Sequence, residues 1–237
     1  MTIKNNIWVI IPAAGVGRRM GSATPKQYLL LNDKPVLEHT LNIFMAHDAV
    51  SEIVVAVSKE DEYWATLSIS NQKPVLLAEG GKERSDSVLN GLKYIESQAN
   101  DDDWVLVHDA ARPCLRKEDL SLLIDSLSTH SVGGILAVPV RDTMKRAVAK
   151  TNLINKTVDR DDLWHALTPQ MFRYKMLKDA LEMALRKNQE ITDEASAIEL
   201  AGFQPKLIEG HADNIKITRP EDLELAAFFL RQAHSGN

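Results

Sequence analysis

Ile7-Trp8-Val9-Ile10-Ile11-Pro12-Ala13-Ala14-Gly15-Val16-Gly17-Arg18-Arg19-Met20 joins an apolar run to a turn of proline, small residues, glycines and paired arginines. The run predicts a buried strand, and the turn after it predicts an anion site. Glycine admits backbone angles that a Cβ forbids, so successive N–H groups can converge on a phosphate while a nucleotide approaches the main chain closely. Arg18, Arg19 and, a few residues on, Lys26 add full positive charge. A helix N-terminus gives an anion only about 0.3–2 kcal/mol, whereas a unit charge about 4 Å away at an effective dielectric of about 20 gives roughly 4 kcal/mol. The cations dominate, and the expected guest is a polyphosphate. The dinucleotide fingerprint is absent, because its third glycine falls on Met20 with Gly21 one place late. No Gly-Lys-Ser/Thr follows, which sets aside the ATP- or GTP-type loop. Taken alone, this stretch leaves open the competing reading of a structural turn.

The 237 residues fall within the one-domain range and allow a large core. Hydrophobic residues make up 44% and charged residues 26%, as in ordinary soluble chains, and a net charge of −5 argues against general nucleic-acid binding. The lone Cys114 permits no internal disulfide, which fits a reducing cytoplasm, and is expected to be a small buried filler. Lys4 before an apolar run imitates a signal peptide, but Pro12 interrupts the run and Arg18-Arg19 replaces a cleavable small-residue site. No stretch approaches the roughly 20 apolar residues of a membrane span.

Short β-branched runs alternate with segments of helical period, the rhythm of an α/β sheet with crossovers. Strands are expected at Ile7 to Ile11, Ile53 to Val57, Val75 to Ala78, Trp104 to His108 and Ile135 to Val140. Val36, Leu37, Leu41 and Phe44-Met45 form one apolar helical face, and Val88, Leu89, Leu92 and Ile95 form another. From Arg141 to Leu163 the chain turns polar and alternates weakly, which suggests a hairpin leaving the globule. An isolated two-stranded ribbon is marginal in water, so such an arm is expected to pack on a partner chain; a solvated loop is the alternative. Helices return at about Arg173 to Lys187, Asp193 to Ala201 and Pro220 to Gln232, with a strand pair at Lys206 to Glu209 and Asn214 to Ile217.

Further clusters stand at or near predicted strand ends, where open α/β sheets collect ligands: Gly80-Gly81-Lys82-Glu83-Arg84-Ser85-Asp86-Ser87-Val88, His108-Asp109-Ala110-Ala111-Arg112-Pro113, Thr168-Pro169-Gln170 and Asp213-Asn214-Ile215-Lys216. With Pro12 to Met20 and Pro25-Lys26-Gln27, in this order, they resemble the 2-C-methyl-D-erythritol 4-phosphate cytidylyltransferases of the non-mevalonate isoprenoid pathway. The likeness runs from about Trp8 to Leu230.

The resemblance implies one Rossmann-like α/β domain over 1–237, of nucleotidyltransferase type. Its sheet would be mostly parallel, with a protruding β-arm over 141–163 that forms a homodimer and completes the partner's pocket. The implied reaction joins CTP and methylerythritol 4-phosphate into the CDP-alcohol with release of pyrophosphate, aided by a divalent metal, usually Mg²⁺. On the family's pattern the glycine-rich loop falls on Pro12, Ala13, Ala14, Gly15, Gly17 and Arg19, with Arg19 and Lys26 on the triphosphate. Gly81 and Ser87 match cytosine contacts, Asp109 the ribose and metal neighbourhood, and Lys216 a phosphate contact. Thr143 and Arg160 on the arm match residues that reach the methylerythritol phosphate in the neighbouring subunit, and Arg112, Thr168 and Thr192 match other positions of that pocket. Lys82 stands where some members carry an acidic residue beside the base.

The residue types suit this chemistry. A phosphate monoester oxygen is already nucleophilic at neutral pH, so no serine, cysteine or strong base is required. The transition state needs alignment and neutralised charge, and Arg19, Lys26, Lys216 and Mg²⁺ are expected to supply both, with Asp109 as the metal's carboxylate. Each residue has a plainer role to set against this: Lys26 as a solvated lysine, Asp109 as a helix cap, Ser87 as an exposed helix residue, Lys216 as an edge-strand charge. Three other readings share some of these residues. They are ribitol-5-phosphate cytidylyltransferase, a non-catalytic nucleotide-binding domain, and an NAD-dependent oxidoreductase.

Overall fold

The computed structural model describes residues 5–15, 24–69 and 72–235. A seven-stranded sheet forms its centre, built from β1 (Ile7–Pro12), β4 (Glu52–Val57), β5 (Val75–Glu79), β6 (Trp104–Val107), β7 (Gly133–Pro139), β10 (Trp164–Arg173) and β11 (Lys206–Glu209). The order across the sheet is β11-β7-β10-β6-β1-β4-β5. Only β10 runs against its neighbours, so the sheet is mostly parallel and the α/β expectation holds.

β1 shows why this sequence chooses the centre of such a sheet. Ile7, Val9 and Ile11 pack on one side with Leu37, Leu41 and Phe44 of α1 (Val36–Met45) and with Leu120 and Leu123 of α3 (Lys117–Leu127). Trp8 and Ile10 face the opposite layer, which holds Val88 and Leu92 of α2 (Arg84–Tyr94), Leu177 and Leu181 of α4 (Tyr174–Arg186) and Ile198 of α5 (Glu194–Leu200). A strand covered by helices on both faces must be apolar at every position, hence an unbroken run instead of alternation. Burying one such side chain stabilises the fold by about 1.5–3 kcal/mol. A third cluster, with Cys114, Ile217 and Ala226, seats α6 (Glu221–Ser235). Burial pushes the Cys114 thiol up to about 12, as suits a filler.

Two sequence expectations need correction. Residues 214–217 form no strand: Ile217 N–H instead donates to Ala111 C=O at 2.9 Å, which fastens this segment to the loop after β6. The other concerns Trp164–Arg173, which has no expected strand yet supplies the antiparallel β10. Pro169 interrupts it, and proline has no N–H for a ladder. The sheet accommodates this with a register irregularity between Ala166 and Gln170, where regular pairing with β7 is suspended.

The expected hairpin is present as β8 (Met144–Ala147) against β9 (Ile154–Val158), antiparallel and outside the main sheet. Residues 141–157 are all exposed. A smaller hairpin joins β2 (Leu30–Leu31) to β3 (Lys34–Pro35) through Asn32 and Asp33, whose φ values of 47° and 63° give the two left-handed residues of a tight turn.

Candidate active site

After β1 the chain moves to one side of the sheet, into β4, and it later returns to the other side of β1 as β6. The carboxyl ends of β1 and β6 thus flank a topological switch point, the crevice where open α/β sheets hold ligands. A cavity of about 380 Å³ lies there. It brings together nine of the expected residues: Pro12, Ala13, Ala14, Gly15, Lys26, Gly81, Ser87, Asp109 and Lys216. Gly17 and Arg19 lie outside the described residues.

The loop after β1 is held from below. Gln27, buried in the 3₁₀ turn Lys26–Tyr28, donates through Nε2 to Ala13 C=O at 2.6 Å and to Gly15 C=O at 3.2 Å. Its neighbour Lys26 donates through Nζ to Ile217 C=O at 2.8 Å, which brings it beside the segment carrying Lys216. Gly15 does not have φ in the left-handed region, and among the described residues nothing lies within 4 Å of where its Cβ would stand. Neither backbone strain nor packing against the described residues requires glycine there. Gly81 is the opposite case. A Cβ on it would fall 2.2 Å from that of Asp86, so packing alone demands glycine. Ser87 is buried; its Oγ accepts from Gly81 N–H at 2.9 Å and donates to Glu83 C=O at 3.2 Å, fixing the turn into α2.

Asp109 is the electrostatic centre. Its Oδ1 accepts from Arg84 Nε at 2.8 Å, and its Oδ2 from Lys216 Nζ at 2.8 Å and Arg112 Nε at 3.3 Å. Burial alone would raise this carboxyl, but Arg84, Lys216 and Arg112 hold it well below the usual carboxylate range. It caps no helix, since residues 110–114 form turns. Burial lowers the Arg112 guanidinium, which Asp109 opposes, and Arg112 also donates to Asn214 C=O at 2.6 Å. Arg84, unassigned by sequence reasoning, donates its other nitrogens to Glu194 at 2.6 and 3.0 Å. Its position held a clue. A cation in the first turn of α2 opposes the helix dipole, so something outside the helix must favour it there.

Thr168 lies behind Asp109, not in the cavity. Its Oγ1 accepts from Asp109 N–H at 3.2 Å and pairs with His108 Nδ1 at 3.0 Å, while His108 Nε2 pairs with Arg112 C=O at 3.0 Å. A carbonyl only accepts, so the proton is on Nε2 and Nδ1 accepts from the threonine. Burial pushes the imidazole down to about 4, keeping it neutral. Thr143, Arg160 and Thr192 are exposed and do not line the cavity of their own chain. Arg160 donates to Arg141 C=O across the base of the arm.

Both Asp109 oxygens accept from cations, and no group of three or more acidic, histidine or cysteine ligands occurs among the described residues. A magnesium ion beside Asp109 would therefore draw most of its oxygen ligands from the nucleotide and water.

The model of the 2-C-methyl-D-erythritol 4-phosphate cytidylyltransferase family matches residues 7–232. The chain belongs to that family. A 2-C-methyl-D-erythritol 4-phosphate cytidylyltransferase of Vibrio vulnificus (strain YJ016) is 53% identical over 221 residues, 93% of each chain. One of Escherichia coli O127:H6 is 52% identical over 233 residues, covering 98% of this chain and 97% of that one. Among solved structures, a 4-diphosphocytidyl-2C-methyl-D-erythritol synthase superposes with a TM-score of 0.84 at 41% identity, over 96% of this chain and all of that one (100%). The cytidylyltransferase of Francisella tularensis gives 0.82 at 38%, over 94% and 99%. Members of this cytidylyltransferase family thus share both the sequence and the mostly parallel sheet that presents the cavity.

Proposed function

We propose that the chain transfers a cytidylyl group from CTP to 2-C-methyl-D-erythritol 4-phosphate, giving 4-diphosphocytidyl-2-C-methyl-D-erythritol and pyrophosphate. The observation that carries this reading is the gathering of Lys26 and Lys216 with Pro12 to Gly15 in one cavity at the switch point, in a chain of this family. A phosphate oxygen of the polyol attacks the α-phosphorus of CTP, and the bond from that phosphorus to the bridging oxygen of the departing pyrophosphate breaks. Negative charge grows on the α-phosphate oxygens and the leaving group, where fixed cations are worth most. Lys26 and Lys216 answer that charge, with Arg19 assigned the same task, while the backbone from Pro12 to Gly15 lies along the phosphates. Gly81 and Ser87 shape the base end. Magnesium, the expected companion, is assigned to nucleotide phosphate oxygens and water, its preferred hard ligands, and Asp109 to anchoring the cations.

Purified protein given CTP, Mg²⁺ and methylerythritol 4-phosphate is expected to release pyrophosphate, and ribitol 5-phosphate in the same assay is expected to compete poorly. Folded protein that stays silent with methylerythritol 4-phosphate overturns the reading. Turnover of ribitol 5-phosphate alone transfers it to the related enzyme.

We read 1–237 as one catalytic domain whose arm, 141–163, makes a homodimer, with Thr143 and Arg160 of each subunit completing the pocket of the other. Support comes from the arm's own surface. Leu153 is 69% and Ile154 66% exposed on a ribbon too thin to bury them itself. Replacing both by aspartate should convert a dimer to a monomer in sedimentation. An unchanged sedimentation coefficient would remove the arm from the interface. Among the described residues no helix is long and apolar enough to cross a membrane, and we assign the protein to the cytoplasm on its lone buried Cys114.

A further inference from the structure

Glu194 belongs to the cavity's charge network but does not itself line the cavity. It begins α5, its side chain is 1% exposed, and both its oxygens accept from Arg84, at 2.6 and 3.0 Å. A carboxylate that deep needs its cation, and a two-point pair fixes the guanidinium plane as well as its position. The remaining guanidinium nitrogen, Nε, is aimed at Asp109 Oδ1. Arg84 therefore joins two buried carboxylates. Seen from Asp109, one oxygen is held by this bridge and the other is left to Lys216 and Arg112.

The start of α5 is itself immobilised. Gln170 of β10 accepts from Ala195 N–H through Oε1 at 2.8 Å and donates through Nε2 to Asp193 at 2.8 Å. Asp193 and Ser196 cap the helix reciprocally, and Thr192 N–H donates to Ser196 Oγ at 3.1 Å. The segment that carries Thr192 is thus tied to the core at one end and, through Glu194, to the cation cluster at the other.

We propose that Glu194 is a positioning residue for the cytidylyl transfer: through Arg84 it sets the Asp109 carboxylate, and with it Lys216, at a fixed distance from the segment bearing Thr192. This rests on the reading of the site given above. With Glu194 in place Arg84 is committed to two carboxylates and works as a strut, leaving Lys26, Lys216 and the assigned Arg19 to meet phosphate. Without it, Arg84 is free to turn wholly onto Asp109 or into the cavity, and the carboxylate can rotate away from Lys216.

The test is a cycle of Glu194→Gln, Arg84→Gln and the double variant, assayed by pyrophosphate release with each substrate varied in turn. Glu194→Gln is expected to raise both KM values about tenfold, the scale of one charged hydrogen bond, that for CTP through the released Lys216 and that for methylerythritol 4-phosphate through the segment bearing Thr192. Loss of folded protein lowers the apparent kcat but leaves both KM values alone, so the rise in KM separates positioning from mere stability. In the Arg84→Gln background the second substitution should add almost nothing, as coupled neighbours do. Unchanged KM values, or effects that multiply independently in the double variant, overturn the inference. Should Glu194→Gln not fold, Glu194→Asp, which keeps the charge but shortens the reach by one methylene, must show the same rise in KM. A wild-type enzyme that turns over beside a Glu194→Gln variant with wild-type KM values defeats only this inference, whereas a silent wild type defeats the function itself.

Discussion

Lys26→Ala is expected to lower the rate of pyrophosphate release at saturating substrates about 10²–10³-fold, the effect of deleting one fixed donor aimed at developing oxyanion charge. The size follows from what surrounds the amine. It is held beside Lys216 by Ile217 C=O, on a turn whose Gln27 is bonded to the loop after β1. It therefore occupies its place before substrate arrives, with no reorganisation needed at the moment of reaction. Loss of the bond to Ile217 costs only about 0.5–1.5 kcal/mol of stability, so the variant should melt near the wild-type temperature while its kcat falls by orders of magnitude. Lys26→Arg should restore little, because a planar fork cannot take the place of a compact ammonium on this short turn. Steady-state kinetics on the three proteins decide the matter, and near-normal turnover by Lys26→Ala would take the residue out of the mechanism.

Sequence reading reached further for the cavity floor than for its supports, and the reason is physical. Pro12 to Gly15, Lys26, Asp109 and Lys216 follow strands or stand in short clusters, so local pattern places them at the sheet's carboxyl edge, and the cavity gathers them. β1 was legible for a similar reason, since a strand covered on both faces must be apolar throughout. The supports are contacts between residues far apart in the chain. Arg84 meets Asp109 and Glu194, 25 and 110 positions away, and Thr168 meets His108 across 60. No periodicity encodes such pairs. β10 was missed because Pro169 is a strand breaker unless a bulge receives it, and whether one does depends on β7. The segment 214–217 misled in the reverse direction: Ile215 and Ile217 alternate as in a strand, yet Ile217 is buried against α6 and pairs its backbone with a loop.

Asp109→Asn should be the most destabilising polar substitution at the site, costing about 3–5 kcal/mol, as when one member of a buried ion pair is removed. Three cations converge on that carboxylate, and the amide would turn a donor toward at least one of them. Arg84 would keep Glu194, but Arg112 and Lys216 would lose the acidic partner they share, and Lys216 would no longer be held toward the cavity. Turnover should fall with stability, and a cation added in solution should not restore it. The pH dependence gives a sharper test. The folded-state value of Asp109 is depressed by its three partners, so the stability it contributes is fully present above the ordinary carboxylate value of about 3.9 and is lost as pH falls below that toward the folded value. In that window the wild type should lose up to about 1.4 kcal/mol per pH unit from this group alone. Asp109→Asn cannot lose it. Urea unfolding midpoints should therefore differ most at pH 7, hold that difference to about pH 5, and converge below about pH 4. Parallel curves down to pH 3 would show that the carboxylate titrates alike in folded and unfolded chains, and the three-cation anchor would then have no thermodynamic role.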